Sequence, residues 1–323
     1  MLLNDYTTAI EQTIATTQYG QSPIELYEPI SYIMGLGGKR IRPLLTVMAT
    51  ALFTENWQQA VRPAVGVEIF HNFTLMHDDI MDKAPIRRGQ PTVHEKWNDN
   101  VAILSGDVML VSAYEFLTEV EPAYLKAVIK KFNRAAAEVC EGQQWDMNFE
   151  KRSDVTKAQY LEMIRLKTAV LLGFALELGG IIGGTDEENA RILKKLGDAV
   201  GTGFQLKDDL LDVYGDPGKF GKLVGGDILA NKKTFLLIDA LEKATGSDQE
   251  ELQFWLSPQD HHNIEKVQAV TALYDRLSVR QTTEAEMNRY FEEGFEYLKA
   301  LRIEDEKKEM LQAFFQNLIE REK

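Results

Sequence analysis

The chain has 323 residues, 44% of them apolar and 27% charged, with a formal net charge of −14 at pH 7. That is the composition of a soluble globular protein, and its acidity argues against nucleic acid as a partner. The single cysteine, Cys140, excludes an internal disulfide and a cysteine-built zinc site.

Helical periodicity dominates from the first residues, and strand signals are nearly absent. The pattern predicts helices over 2–18, 22–35, 41–54, 62–83, 99–119, 122–149, 155–182, 186–214, 228–244, 247–256, 260–275, 278–301 and 305–321. Wide apolar faces on the longer ones predict an all-α chain with these as the central helices of a large bundle. Nine prolines and no Pro/Gly/Ser-rich linker predict a single domain over 1–323. The last hundred residues are more charged and are expected on its outside. Residues 1–18 carry Asp5 and Glu11 and no basic start, unlike a secretory signal. In the context Ala-Glu-Val-Cys-Glu, Cys140 reads as a buried helix position. The most apolar stretch, 169–184, is interrupted by Glu177 and five glycines, so it reads as a buried core helix and not as a transmembrane segment. The final Glu-Arg-Glu-Lys offers no cysteine for prenyl attachment, and a cytoplasmic location is expected.

The helix over 62–83 ends in His77-Asp78-Asp79-Ile-Met-Asp82, and Arg87-Arg88-Gly89 follow. Positions four apart share a helix face, so Asp78 and Asp82 point the same way and Asp79 swings aside. A divalent cation would remove their repulsion. Mg²⁺ suits oxygen ligands and is usually held by one or two carboxylates plus substrate phosphates. The device recurs as Asp208-Asp209-Leu-Leu-Asp212. One such triplet reads as a solvated acidic face. Two, each in mostly apolar surroundings, need partners. Facing each other, they would hold a cluster of Mg²⁺ ions around a polyphosphate.

Three basic turns accompany the acids. Gly35-Leu-Gly37-Gly38-Lys39-Arg40-Ile-Arg42-Pro43 leads into a helix N-terminus, a ready anion site. Alone it would pass for a helix end followed by solvated cations. Pro85 to Thr92 carries Arg87 and Arg88, and Gly215 to Lys222 lies just beyond the second triplet, followed by Lys232-Lys233-Thr234. Together they suit a site that neutralises two diphosphates. His71 and His77 read as core histidines. There is no P-loop, dinucleotide fingerprint or HExxH motif.

In order, spacing and residue type these motifs resemble the trans (head-to-tail) isoprenyl diphosphate synthases, or polyprenyl synthetases. The likeness runs from Gly37-Gly38-Lys39-Arg40-Ile-Arg42-Pro43, through the first triplet and Arg87-Arg88-Gly89, through Lys167-Thr168, to Phe204-Gln205 and the second triplet. It implies antiparallel helices around a deep central cavity, a homodimer, and addition of isopentenyl diphosphate to an allylic diphosphate with three Mg²⁺ per active site. It implies Asp78, Asp82 and Asp208 as metal ligands, with Asp79 and Asp212 in support. Arg87, Lys167, Lys222 and Lys232 would meet the allylic diphosphate. Lys39, Arg42, His71 and Arg88 would form the isopentenyl diphosphate pocket. Lys167, Thr168 and Gln205 would lie near the reacting carbon. In this family the product grows down the cavity from the metals. At ~1.5 Å per helical residue, Thr74 lies about 6 Å, Phe73 about 7.5 Å and Phe70 about 12 Å below Asp78. An aromatic at Phe73 implies a short product, C15 to C20, with C20 ahead; the alternative is that Phe70 and Phe73 simply fill the core. A class I terpene cyclase is disfavoured by Asp208 to Asp212, Lys39 and Arg42. A silent partner subunit is disfavoured because neither triplet has lost an acid. Asn231, where the family usually has glycine, and Phe235-Leu236, where Leu-Pro is common, depart from the pattern.

Overall fold

Apolar spacing and capping residues set the helix boundaries. The computed structural model describes residues 2–215, 225–257 and 262–320. The helices are α1 (Leu2–Thr16), α2 (Ile24–Gly35), α3 (Ile41–Ala51), α4 (Val61–Met81), α5 (Val93–Lys96), α6 (Asp99–Leu117), α7 (Pro122–Glu150) and α8 (Lys157–Ile164). After a π-helical turn (Arg165–Ala169) come α9 (Val170–Ile182), α10 (Glu187–Tyr214), α11 (Gly226–Leu229), α12 (Phe235–Lys243), α13 (Ser247–Leu256), α14 (Asn263–Arg276), α15 (Val279–Ala300) and α16 (Asp305–Glu320). Asn98 caps α6 by accepting from the Val101 amide at 3.0 Å. Thr156 and Gln159 form a reciprocal capping box on α8.

Four expectations need correction. The helix expected over 155–182 carries five residues in the π register. The helix expected over 228–244 is two helices: Asn231 takes a left-handed φ of 51°, and Thr234 starts α12 by accepting from the Leu237 amide. A two-residue hairpin, β1 (Ile86–Arg87) and β2 (Gln90–Pro91), forms where no strand was expected. Arg88 (φ 52°) and Gly89 (φ 76°) close it with the positive φ pair of a type I′ turn, whose twist matches the strands. Cys140 is exposed, because Val139 and Gln143 turn the buried face of α7 away from it.

The chain divides into two compact units. The first comprises Met1–Ala135, Leu171–Lys194 and Leu301–Lys307. Here α6 lies along α4, and its Leu104 and Val111 remain well exposed. By length and composition alone α6 could cross a membrane. The apolar run at 169–184 is α9, with Phe174, Ala175, Leu176 and Leu178 fully buried. Phe174 meets Phe132 of α7 at 5.6 Å between ring centroids; Phe132 meets Phe70 of α4 edge-on at 5.0 Å, and Phe70 meets Phe73 at 5.6 Å. Glu177, buried on α9, is paired with Lys131 of α7.

The second unit comprises Ala136–Val170, Lys195–Ala300 and Lys308–Lys323. Its charged later helices do more than cover an outside: α12 to α15 enclose a core of Leu236, Leu252, Leu273, Tyr274 and Val279. A second cluster holds Tyr160, Met163, Leu206 and Phe235 around α8.

Candidate active site

The first acidic triplet sits at the last turn of α4. Asp78 is half-buried, Asp79 buried, and Asp82 exposed at the helix C-cap. Asp79 faces the hairpin, where Arg87 grips it with Nε to Oδ2 and Nη2 to Oδ1, both at 2.7 Å. Such a bidentate pair is stronger and more directional than a single ion pair. Asp79 therefore stands behind the outer acids, and the Arg87 assigned to an allylic diphosphate is positioned by it. Among the described residues no three acidic, histidine or cysteine side chains converge to chelate an ion by themselves. Asp78 and Asp82 supply hard oxygen donors, the set that suits Mg²⁺ when water and phosphate oxygens complete the coordination.

The glycine-rich turn is organised by buried Glu68, nearly three turns before Asp78 on α4. Its carboxylate accepts from Arg40 Nη1 at 2.9 Å and from Asn72 Nδ2 at 3.2 Å. Arg40, nearly inaccessible and at φ 45°, also donates to the Met34 carbonyl at 2.6 Å and to Glu11 at 3.1 Å. Arg88 donates to the Gly37 carbonyl and, at 3.5 Å, to Asn72 Oδ1. Arg42 donates Nη1 to His71 Nε2 at 3.1 Å. A guanidinium can only donate, so Nε2 is the acceptor and the neutral ring carries its proton on Nδ1. Burial first, then Arg42, Arg88, Arg87 and Arg40, push His71 well below its usual range. Burial, together with Arg88, lowers Arg42 to about 10 against the pull of Glu68. Arg42 Nε is buried without a hydrogen-bond partner. The result is a pocket of crowded guanidiniums with an excess of positive charge, which an anion would relieve. Lys39 stands exposed on the same turn.

In the second unit, Lys167 and Thr168 ride the π-helical turn. An extra residue in a turn re-aims side chains, and such turns are frequent at functional sites. Gly142 of α7 makes the turn possible: a Cβ there would stand 2.2 Å from the Lys167 backbone nitrogen. Lys167 Nζ meets Asp146 Oδ2 at 2.6 Å. Thr168 Oγ1 donates to Gln205 Oε1 at 3.3 Å, and Gln205 Nε2 donates to Asp209 Oδ1 at 3.3 Å. The other Asp209 oxygen accepts from the Tyr160 hydroxyl. Burial pushes Asp209 up to about 7, against the lowering effect of Tyr160 and Gln205; burial and Asp209 raise Tyr160 well above its usual range. Asp208 is exposed and Asp212 half-buried. Asp212 Oδ2 accepts from the Asp227 amide at 2.9 Å, tying the end of α10 to the start of α11. Lys232 lies 3.8 Å from Asp227. Asn231 meets the left-handed geometry that glycine would otherwise serve, and its side chain links Lys266 (2.7 Å) to the Leu256 carbonyl (3.3 Å).

The first unit thus brings together Asp78, Asp79, Asp82 and Arg87 and, about two turns below Asp78 along α4, Arg42, His71 and Arg88. The second gathers Lys167, Thr168, Gln205 and the second triplet. Lys222 lies outside the described residues. Phe70 is buried, while Phe73 and Thr74 are half-buried. Sequence reasoning missed Glu68, Asn72, Asp146, Tyr160 and Asp227. Glu68 and Asn72, four apart on an apolar helix, and Tyr160, two turns before Lys167, were the available signals.

The polyprenyl synthetase family model matches residues 23–274. A geranylgeranyl diphosphate synthase of Methanosarcina mazei is 37% identical over 94% of this chain and 91% of its own. A geranylfarnesyl diphosphate synthase of Natronomonas pharaonis is 33% identical over 93% of this chain and 91% of its own. A crystal structure of a geranylgeranyl pyrophosphate synthase superposes with a TM-score of 0.94 at 40% identity, covering 99% of this chain and 98% of the other. Motif order, fold and near-complete coverage agree: this chain belongs to the polyprenyl synthetase family, with that family's all-α fold.

Proposed function

We propose that the protein is a Mg²⁺-dependent prenyltransferase that joins isopentenyl diphosphate head-to-tail to an allylic diphosphate and releases diphosphate. The observation that carries this reading is the pairing, on one helix, of an acidic triplet with a cationic pocket: Asp78 and Asp82 at the end of α4, Arg42, His71 and Arg88 beside it. Mg²⁺, three ions by the family's expectation, would when bound supply positive charge against the charge that grows on a departing diphosphate. Asp78, Asp82 and Asp208 would hold it, with Asp212 in support. Lys39, Arg42 and Arg88 hold isopentenyl diphosphate, and Arg87, Lys167 and Lys232 hold the allylic diphosphate. As the allylic carbon–oxygen bond breaks, the oxygens of Thr168 and Gln205 stabilise the cation while apolar walls exclude water. The isopentenyl double bond attacks, a carbon–carbon bond forms, and a proton leaves to the departing diphosphate. No histidine base is required, in keeping with a neutral His71.

The product we assign is C15 to C20, with C20 favoured. Phe73, Phe70 and Phe132 stacked below Asp78 support a short chain, and so do relatives named geranylgeranyl diphosphate synthase. The chain is proposed to work as one domain, since a single family match over residues 23–274 takes in residues of both units. It is also proposed to be cytoplasmic and a homodimer. The exposed Leu104 and Val111 on α6, with half-buried Val108 between them, support a subunit contact; light scattering that finds only monomers would remove it.

The test is incubation with radiolabelled isopentenyl diphosphate, Mg²⁺ and C5, C10 or C15 allylic primers in turn. A C15 or C20 diphosphate is the expected product. Hydrocarbon and free diphosphate without incorporation would mean a cyclase instead.

A further inference from the structure

We infer that Asp209, the middle acid of the second triplet, is not a metal ligand but a positioning residue that, with Tyr160, fixes which way the Gln205 amide and the Thr168 hydroxyl point. This assignment rests on the prenyl-transfer reading.

The geometry is a chain of donors ending on one carboxylate. Asp209 is 3% exposed. One oxygen accepts from Tyr160, the other from Gln205 Nε2 at 3.3 Å. A carboxylate accepts and cannot donate, whereas an amide has a donor end and an acceptor end of nearly the same shape. Asp209 therefore determines the amide's orientation: nitrogen toward the acid, oxygen toward Thr168. Gln205 Oε1 in turn takes the Thr168 proton at 3.3 Å. With its hydrogen committed there, the Thr168 oxygen directs its lone pairs elsewhere.

Two oxygen dipoles are thus fixed beside the carbon that becomes cationic. If the amide flipped, Gln205 would present N–H groups in place of oxygen, and Thr168 would lose its acceptor. Preoriented dipoles in a water-poor site are the strongest form of such stabilisation, because none must turn during the reaction. Tyr160 holds the far side of the carboxylate. It lies in the apolar cluster around Met163, Leu206 and Phe235, so the acid cannot rotate away. The same role explains why Asp209 is buried while Asp208, its neighbour, is exposed.

The decisive substitution is Asp209→Asn in the full-length enzyme. Asparagine has the same shape but offers a donor as well as an acceptor, so Gln205 can be held either way round. Turnover should fall by on the order of ten- to a hundredfold. KM for both diphosphates and the Mg²⁺ concentration giving half-maximal rate should stay within about twofold. Tyr160→Phe should show the same pattern with a smaller loss, and it decides the matter if the asparagine variant does not fold. A raised Mg²⁺ requirement in Asp209→Asn would make Asp209 a ligand and overturn the assignment. So would wild-type kcat in both variants, or in Tyr160→Phe if only that variant folds. A wild-type protein without prenyl transfer would overturn the functional reading itself, and this role with it.

Discussion

Glu68 is a buried carboxylate on which Arg40 and Asn72 converge, and Asn72 in turn receives Arg88. Replacing it with glutamine leaves the shape but strands a buried guanidinium. Breaking such a pair costs about 3–5 kcal/mol, which chemical denaturation should register. Because Arg88 and the turn bearing Lys39 are displaced together, KM for isopentenyl diphosphate should rise while KM for the allylic substrate holds. His71 makes a second, pH-dependent prediction. Its native pKa is depressed below the ordinary 6.5 by burial and by surrounding arginines. Below that value the unfolded chain binds a proton that the native chain refuses, so acidification costs stability, by up to about 1.4 kcal/mol per pH unit. Above it His71 contributes no slope. Asp209, raised to about 7, acts in the opposite sense: its contribution is present at low pH and lost as pH rises toward 7. The difference between wild type and His71→Gln isolates the histidine. That variant should lose less stability between pH 6.5 and pH 5 in denaturant titrations.

At the scale of elements, the two triplets divide their labour alike. The middle acid is committed to the protein, Asp79 to Arg87 and Asp209 to Tyr160 and Gln205. The outer acids are the ones proposed above to meet the metal. The triplets were legible in the sequence because spacing alone puts carboxylates on one helix face. Their inner division was not, since Arg87 is eight residues from its acid and Tyr160 forty-nine. Helices were legible to within a few residues wherever apolar periodicity ran unbroken. The π-helical turn was not: it leaves no periodic trace at the turn itself, and the residue that permits it, Gly142, lies on another helix. Gly142→Ala should force that turn outward from Lys167. Overpacking of this kind costs about 1–3 kcal/mol, and kcat should fall with the melting temperature. As the proposed floor of the cavity, the aromatic stack is layered. Phe73→Ala should lengthen the product by one isoprene unit and no further, because Phe70 and Phe132 stand beneath it. Chromatography of the dephosphorylated products would read this directly, and an unchanged distribution would place the stop elsewhere.

For the molecule as a whole, a net charge of −14 opposes the approach of two diphosphates. Affinity then depends on cations concentrated at the basic turns, not on the overall field. One further charge pair works in the other direction. Lys131 and Glu177 join α7 to α9, with the glutamate almost wholly buried and the lysine at 32% exposure. Drawing these ions out of water is costly when cold, and that cost shrinks on heating because ion hydration loses ground with temperature. The double replacement Lys131→Met with Glu177→Leu should therefore be more stable by about 1 kcal/mol near room temperature. That advantage should narrow in denaturant titrations repeated at rising temperature. The Lys131–Glu177 pair therefore weighs less against the fold as the protein is warmed, and the share of the α7–α9 contact that it carries grows with temperature.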